Sequence, residues 1–315
     1  MNYKRSTVQC IGRKKRISGL CISRKVWVTM SGLLLAWMIV GCGETENRNL
    51  MDENDAESVI EEQKNFPKEV ETEDEEENSE IPELPELPEV PEVSETVLWF
   101  NGTYAALTYS NGWDWHLVGG VELTEDNIDL TKALLYYDWN VTDRESALMT
   151  VDILSTEGHR GKCQECMEEL DAWGLLELNQ EQFVDELLEI EPEGNLGRYI
   201  LAYDMYLNEI EPEYIAAFDL CRVNQLYAAY YVCGYMDYEE AMDASLENSL
   251  ILQKMYGSWE EMMDAYMLGF QFWKGDLEID DDSPTIERYR YYQMLRNLED
   301  NPYNLDWNME LEKSW

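Results

Sequence analysis

Histidines, basic residues and catalytic motifs are all scarce in this chain. It has 66 acidic residues against 23 basic ones, and its only histidines are His116 and His159. Two histidines cannot supply a multi-histidine metal centre, although either could still act as a base. The sequence also lacks a His-Glu-x-x-His pair, a nucleophile elbow and a phosphate-binding glycine loop. These absences leave no recognisable reaction chemistry, and we expect no cofactor.

Positive charge is concentrated at the N-terminus. Eight of the 23 basic residues lie within the first 25 positions, so 15 remain against 66 acidic residues, and the chain after residue 41 has a formal charge of −51. A polyanion repels phosphate groups, and no basic patch with interleaved aromatic residues is present. Nucleic acid is therefore an implausible partner, and most of the negative charge is explained by solubility.

A short apolar run follows the basic segment. Residues 26–41 are sixteen residues, fewer than the about 20 that a membrane-spanning helix needs, and the run leads into Ile-Val-Gly-Cys at residues 39–42. This pattern is typical of a lipoprotein signal peptide, which is cut before the cysteine. We expect residues 1–41 to be removed and Cys42 to carry the lipid that holds the chain on the extracytoplasmic face of a bacterial cell membrane. An uncleaved single-pass anchor is the alternative.

Residues 42–96 are predicted to be a disordered linker. Acidic residues dominate the segment, and Phe66 is its only aromatic residue, so the segment cannot bury a core. Prolines at 82, 85, 88 and 91 punctuate a Pro-Glu-Leu/Val repeat whose three-residue period matches polyproline II, at ~3.1 Å per residue. The linker is interpreted as a stalk, with a peptide-docking motif as the alternative.

Residues 97–315 are predicted to form one compact all-α domain of about eight or nine helices. Capping boxes begin at Thr142, Asp237 and Ser258, and Ser283 precedes a proline at a first helical position. Glycines 158, 234 and 275 stand where apolar-periodic runs stop, as helix ends do. Between residues 213 and 233 the apolar residues follow a helical period with a wide buried face, and no strict strand-like alternation stands out.

A series of short segments resembles the bacterial family called domain of unknown function 1266. The segments are Leu98-Trp99, Ala105-Ala106-Leu107-Thr108, Gly158-His159-Arg160, Phe218-Asp219-Leu220-Cys221-Arg222, Gly234-Tyr235-Met236, Glu240-Ala241, Ser258-Trp259-Glu260-Glu261, Tyr266-Met267-Leu268-Gly269 and Phe272-Trp273. The resemblance covers residues 97–275. It implies a compact helical domain with no established activity, and it adds nothing about chemistry.

Four charged or polar residues form the candidate site. Asp219 and Arg222 lie three apart on a predicted helix and share a face, so they can pair. His159 and Arg160, at another helix start, could join them in a pocket for an anion or a polar ligand, in which the arginines bind and Asp219 orients one of them. The alternative is a buried ion pair that fixes the packing of two helices, with His159 helping to cap.

The cysteines and one acidic loop are further candidates. Cys163, Cys166, Cys221 and Cys233 predict one or two disulfides or inert thiols in an oxidising compartment, with a redox or metal role for the Cys-x-x-Cys pair as the alternative. The loop has carboxylates at positions one, three, five, seven and twelve of a calcium-loop register, namely Asp276, Glu278, Asp280, Asp282 and Glu287. It lacks the glycine at position six, which favours a solvated acidic loop over a calcium site.

Six aromatic residues recur at helical spacings, and core packing explains them better than a ligand groove. They are Tyr227, Tyr230, Tyr231, Trp259, Tyr266 and Trp273. Together these features favour a membrane-anchored binding or interaction module whose protein or envelope partner is unknown. The alternatives are a hydrolase with a polar pocket around Asp219, Arg222 and His159, and a calcium-stabilised surface protein.

Overall fold

The computed structural model of the chain describes residues 93–190, 195–277 and 283–315. The predicted signal peptide, Cys42 and nearly all of the predicted linker lie outside these residues. The described part forms ten α-helices and four short 3-10 helices and contains no β-strand, which confirms the all-α class and exceeds the predicted helix number slightly. In chain order the helices are α1 Glu95–Ser110, α2 Glu125–Trp139, α3 Arg144–Thr156, α4 Gly158–Ala172, α5 Gln180–Ile190, α6 Leu196–Leu207, α7 Ala216–Val232, α8 Tyr238–Met255, α9 Trp259–Lys274 and α10 Pro284–Arg296.

Local capping signals set three of the predicted helix starts. The side chains of Asp237, Ser258 and Ser283 each accept a hydrogen bond from the backbone N–H three residues on, which begins α8, α9 and α10. Pro284 occupies the first position of α10, where its missing N–H costs no helical bond. Gly275 ends α9 in the left-handed conformation with φ 61°, as predicted.

Two predicted helix boundaries are wrong. The N-cap of α3 is Asp143, not Thr142, and its carboxylate accepts the backbone N–H of Ser146 at 2.9 Å in a reciprocal capping box. Thr142 and Asp143 both have a side-chain oxygen suitable for capping, and Asp143 is the residue directly before the first helical residue. Gly158 was predicted to end a helix, but α3 ends at Thr156 and Gly158 opens α4.

Helix α7 is the centre of the domain. It packs against α1, α2, α3, α4, α8 and α9, and 13 of its 17 residues are buried. This confirms the wide buried face that the apolar period predicted for residues 213–233. The main core surrounds this helix and is completed by the Trp99, Trp259 and Trp307 rings, whose centroids lie 4.8 to 5.0 Å apart.

Buried amides link α1, α7 and α8. Asn224 donates to Thr103 Oγ1 at 3.1 Å and to Ser249 Oγ at 3.0 Å, while Asn248 donates to Asn224 Oδ1 and to the Leu220 carbonyl, both at 2.8 Å. Since a buried polar group costs free energy unless it is paired, these bonds specify the register of the three helices.

A second apolar cluster is formed by α4, α5 and α6. Phe183 of α5 and Tyr203 of α6 stack with centroids 3.7 Å apart, and Phe272 of α9 is also buried there. Because α9 contributes residues to both clusters, it joins them. No helix in the described residues is long and apolar enough to span a bilayer.

The last residues of the chain lie across α8 and α1. The indole nitrogen of Trp307 donates to the Tyr256 carbonyl at 2.9 Å, and that of Trp315 donates to Asp243 at 2.9 Å. Lys313 pairs with Glu239 at 2.7 Å and also with Asp243. The C-terminal segment is therefore part of the folded domain.

Candidate functional site

The candidate site is centred on the start of α4. Helix α3 ends at Thr156 and α4 starts at Gly158, so the chain turns sharply between them, with a φ of 56° at Gly158. The first N–H groups of α4 have no acceptor within their own helix, as at every helix N-terminus. They face the side chain of Asp219, which extends from the first turn of α7.

The Asp219 carboxylate caps α4 from another helix. It accepts the His159 backbone N–H at 3.0 Å and 2.8 Å to its two oxygens, and the Arg160 backbone N–H at 3.3 Å. The His159 ring adds an Nδ1 to Oδ1 contact of 2.6 Å. Asp219 is 0% exposed, so its charge is balanced by these donors and by the positive end of the α4 dipole.

Arg160 joins three elements at the same point. Its Nη1 lies 3.4 Å from Asp219 Oδ2 and donates to the Leu154 carbonyl at 3.0 Å, and its Nη2 donates to the Ser155 carbonyl. Its Nε pairs with Glu213 at 3.3 Å. The guanidinium therefore satisfies the free carbonyls at the end of α3 while it pairs with the carboxylate that starts α4.

Arg222 has different neighbours, although it lies one helical turn after Asp219. Its guanidinium carbon is 4.3 Å from the centroid of Trp139, 4.7 Å from that of Phe218 and 5.4 Å from that of Trp273. The structure thus brings His159, Arg160 and Asp219 into direct contact and places Arg222 among aromatic rings. The Phe218 ring connects the two groups, since its centroid is 5.0 Å from the His159 ring.

A surface depression of about 310 Å³ lies beside Arg160. Its lining residues are Thr156, Glu157, Arg160, Gly161, Gln164, Glu211, Pro212 and Glu213. Arg160 is the one member of the predicted pocket that lines it. The carboxylate of Asp219 lies behind that surface, held by the backbone of α4.

The four cysteines for which the sequence predicts disulfides or inert thiols are free and buried in the structure. Cys163 and Cys166 lie in the second apolar cluster, whereas Cys221 lies on α7 and Cys233, twelve positions later, is the C-cap of that helix. At 1.5 Å per residue the latter two are about 18 Å apart, far beyond disulfide reach. Burial raises the pKa of Cys163 to about 12 and that of Cys166 to about 11, which opposes thiolate chemistry.

The predicted calcium loop is described only at its ends. Glu278, Asp280 and Asp282 lie outside the described residues. Asp276 accepts hydrogen bonds from Ser283 Oγ at 2.6 Å and from the Thr285 backbone N–H at 3.2 Å, so it supports the cap of α10. Within the described ranges, no group of three or more metal-ligating side chains could hold a metal ion.

The aromatic residues at helical spacings all belong to the main core or pack against it. Sequence reasoning missed that Arg222 and Lys274 lie over Trp273, which is one of these rings, and that Arg288 lies over the neighbouring Phe270. Lys274 Nζ lies 4.1 Å from the Trp273 centroid, and the Arg288 guanidinium carbon lies 5.1 Å from that of Phe270. The three cations come from three helices, so no spacing within one segment could have indicated them.

Comparison with protein families gives a match over more than half of the chain. The family described as "Protein of unknown function (DUF1266)" matches residues 134–307. The resemblance predicted from the sequence covers residues 97–275, so the match starts later and ends later than predicted. The matched residues include α10. No curated protein and no solved structure matches the chain.

Proposed function

We propose a function for this chain, which belongs to the DUF1266 family of proteins of unknown function. The proposed role is that of a lipid-anchored binding module on the extracytoplasmic face of a bacterial membrane. The anchor would be the lipid on Cys42, and the acidic segment after it would hold the helical domain away from the membrane. The partner would be a protein or another component of the envelope.

The proposed anchor is supported by the sequence. A basic segment, a sixteen-residue apolar run and small or β-branched residues before Cys42 are the features of a lipoprotein signal peptide. Diacylation gives lasting attachment, because two or more acyl chains bind far more strongly than one. The 51 net negative charges that follow repel anionic headgroups, which favours a displayed domain over one that lies on the lipid.

The choice of binding over catalysis rests on one observation, the hydrogen bonds that the Asp219 carboxylate accepts. Both oxygens of this buried carboxylate receive backbone N–H donors from α4. A general base or nucleophile must reach the substrate, but these bonds hold Asp219 where it starts a helix. The interaction with His159 and Arg160 is therefore best explained as a structural junction.

The hydrolase alternative makes a distinct prediction. It requires His159 as a base, with Asp219 orienting its ring, in the arrangement that many hydrolases use. The Nδ1 to Oδ1 distance of 2.6 Å is compatible with that role, so the alternative is kept as the second candidate. A calcium-stabilised surface protein is the third candidate, and of its five candidate ligands the structure describes only Asp276 and Glu287.

The anchor is tested by mass spectrometry of the chain from membranes of a bacterial host. We expect the mature N-terminus to be acylated Cys42, and we expect Cys42→Ser to abolish acylation. Cys21→Ser is the matched control, because it removes a thiol from the predicted signal segment and should leave acylation intact. An unmodified N-terminus on a freely soluble product would contradict the proposal.

The choice between binding and hydrolysis is tested with the full chain and its His159→Gln variant. A binding module should retain the same saturable partner from envelope extracts in both forms, once circular dichroism shows that both are folded. Ester, amide and phosphoester substrates are tested in parallel. Turnover by the wild type that disappears in the folded variant would favour the hydrolase instead.

A further inference from the structure

Helices α3 and α8 are joined to each other beside α7. Both helices pack against α7, and at their first turns Arg144 of α3 pairs with Glu240 of α8, with 2.6 Å between Arg144 Nη1 and Glu240 Oε2. The same Nη1 donates to the Tyr235 carbonyl at 3.0 Å, just after α7 ends. These contacts fix one end of the surface that the three helices share.

Two tyrosines of α7 are partly exposed on this surface. Tyr227 and Tyr231 are four residues apart, so they share a face of α7, and each is half-buried. Burial raises the pKa of Tyr227, and the charges of Glu247 on α8 and Asp152 on α3 raise it further. The two carboxylates therefore lie near the same tyrosine on two different helices, about two turns after the ion pair that joins those helices.

An apolar side chain accompanies each of these carboxylates. Leu148 precedes Asp152 by four residues on α3 and is 40% exposed, and Ile251 follows Glu247 by four residues on α8 and is 47% exposed. At this spacing each apolar side chain lies on the same face of its helix as the carboxylate. We call Leu148, Asp152, Tyr227, Tyr231, Glu247 and Ile251 the tyrosine face.

The tyrosine face carries negative charge. Neither Asp152 nor Glu247 has an ion-pair partner among the residues that the structure describes, whereas Arg144 and Glu240 neutralise each other. Both carboxylates are exposed, so water screens them. Apolar contact must therefore supply most of the binding free energy at this face, while the charges select the sign and the orientation of a partner.

Charge complementarity decides which occupant fits the tyrosine face. The chain after residue 41 has a formal charge of −51, so its own acidic segment and a second copy of the chain both bring like charge to Asp152 and Glu247. A partner with Lys or Arg beside an apolar stripe brings the opposite charge, and it also covers Leu148 and Ile251. The face therefore favours a basic, amphipathic partner over another part of this chain.

We propose that the tyrosine face binds a basic amphipathic helix of a partner protein. The apolar stripe of that helix packs on Leu148, Ile251 and the exposed sides of the two tyrosines, and its Lys or Arg side chains pair with Asp152 and Glu247. This inference rests on the proposed binding role and deepens it, because it states the surface and the chemistry of the partner.

The test measures the fluorescence anisotropy of a labelled helical peptide, with leucine on one face and lysine on the other, as the purified full chain is added. Buffer with the same detergent and no protein gives the background. We expect saturable binding, and we expect none when glutamate replaces the lysines of the peptide. Leu148→Arg and Ile251→Arg should each weaken binding at least tenfold, because each places a cation in the apolar contact. Asp152→Asn combined with Glu247→Gln should weaken binding and make it less dependent on salt.

Met149→Arg and Leu250→Arg are the matched controls. Each adds the same charge one position away on the same helix, which turns the side chain by about 100° from the tyrosine face. Met149 is 60% exposed and Leu250 is 40% exposed, so both helices tolerate arginine there. The controls should bind the peptide like the wild type. If the control variants weaken binding as much as Leu148→Arg does, or if binding does not saturate, the tyrosine face is refuted.

A second copy of the chain as the occupant is tested by size-exclusion chromatography of the same variants. A dimer that Leu148→Arg dissociates and Met149→Arg leaves intact would contradict the proposal. The peptide titration does not depend on acylation of Cys42, so failure of the anchor and failure of the tyrosine face are distinguishable. If Leu148→Arg still retains the envelope partner of the wild type, the tyrosine face is refuted and the binding role stands.

Discussion

The backbone of Gly158 lies directly against the carboxylate of Asp219. A Cβ atom at residue 158 would lie 2.3 Å from Asp219 Oδ2 and 2.4 Å from its carboxyl carbon. Gly158 also has a φ of 56°, in the left-handed region that side chains disfavour. The carboxylate can therefore reach the first N–H groups of α4 only because residue 158 has no side chain.

Gly158→Ala is expected to destabilise the domain by about 2–4 kcal/mol, from backbone strain plus the displaced carboxylate. Gly174→Ala is the matched control, because Gly174 has a φ of 72° and no atom lies within 4 Å of its added Cβ. Gly174→Ala introduces the backbone strain without a steric clash, so it should destabilise the domain by about 1–2 kcal/mol. Urea unfolding of both variants measures the difference, and equal losses would show that the contact with Asp219 contributes nothing.

Asp219→Asn is expected to destabilise the domain by about 3–5 kcal/mol, because it leaves Arg160 without its buried carboxylate and turns an NH₂ group towards backbone donors. Asp143→Asn is the control. Asp143 caps α3 from an exposed position, and asparagine caps a helix about as well as aspartate. Urea unfolding that shows similar effects for the two variants would refute a structural role for Asp219.

Features that depend on a few neighbouring residues were predictable from the sequence. The caps at Asp237, Ser258 and Ser283 were predicted because the acceptor and the donor lie three residues apart. The buried face of α7 was predicted because the helical period repeats within one segment. The position of the α3 cap was missed by one residue, since Thr142 and Asp143 both have a suitable oxygen.

Features that depend on distant residues were not predictable in the same way. Asp219 accepts the backbone N–H of His159, 60 residues earlier, and nothing near residue 219 indicates which N–H groups it will meet. The sequence does indicate that His159 and Arg160, at another helix start, could join Asp219, but it does not say which atoms would meet. The neighbours of Arg222 follow from the packing of α2, α7 and α9, which one sequence does not specify.

The buried cysteines lead to a labelling prediction. Cys163, Cys166, Cys221 and Cys233 are all buried, and burial raises their pKa values, so iodoacetamide should modify them only after unfolding. Peptide mass spectrometry before and after urea treatment measures the labelling at each position. A peptide pair that remains joined until reduction would show that a disulfide forms and would contradict this prediction.

The last prediction concerns pH and Asp264 of α9. Burial raises the pKa of this carboxyl group to about 7, the nearby Glu260 raises it as well, and Arg296 lowers it. Between its ordinary value near 4 and about 7, the folded chain holds a proton that the unfolded chain has released. Stability should therefore fall as pH rises through this window, because the folded state then has to ionise a half-buried group.

Asp264→Asn should remove this loss, since the amide never ionises. We expect the variant to gain stability relative to the wild type as pH rises from about 4 to about 7 and to keep the gain above it. Urea unfolding at several pH values measures the difference. Asp171→Asn, at an exposed position near the end of α4, removes the same charge and serves as the control. If both variants follow the wild type with the same pH dependence, Asp264 is ionised in the folded protein as easily as in the unfolded chain.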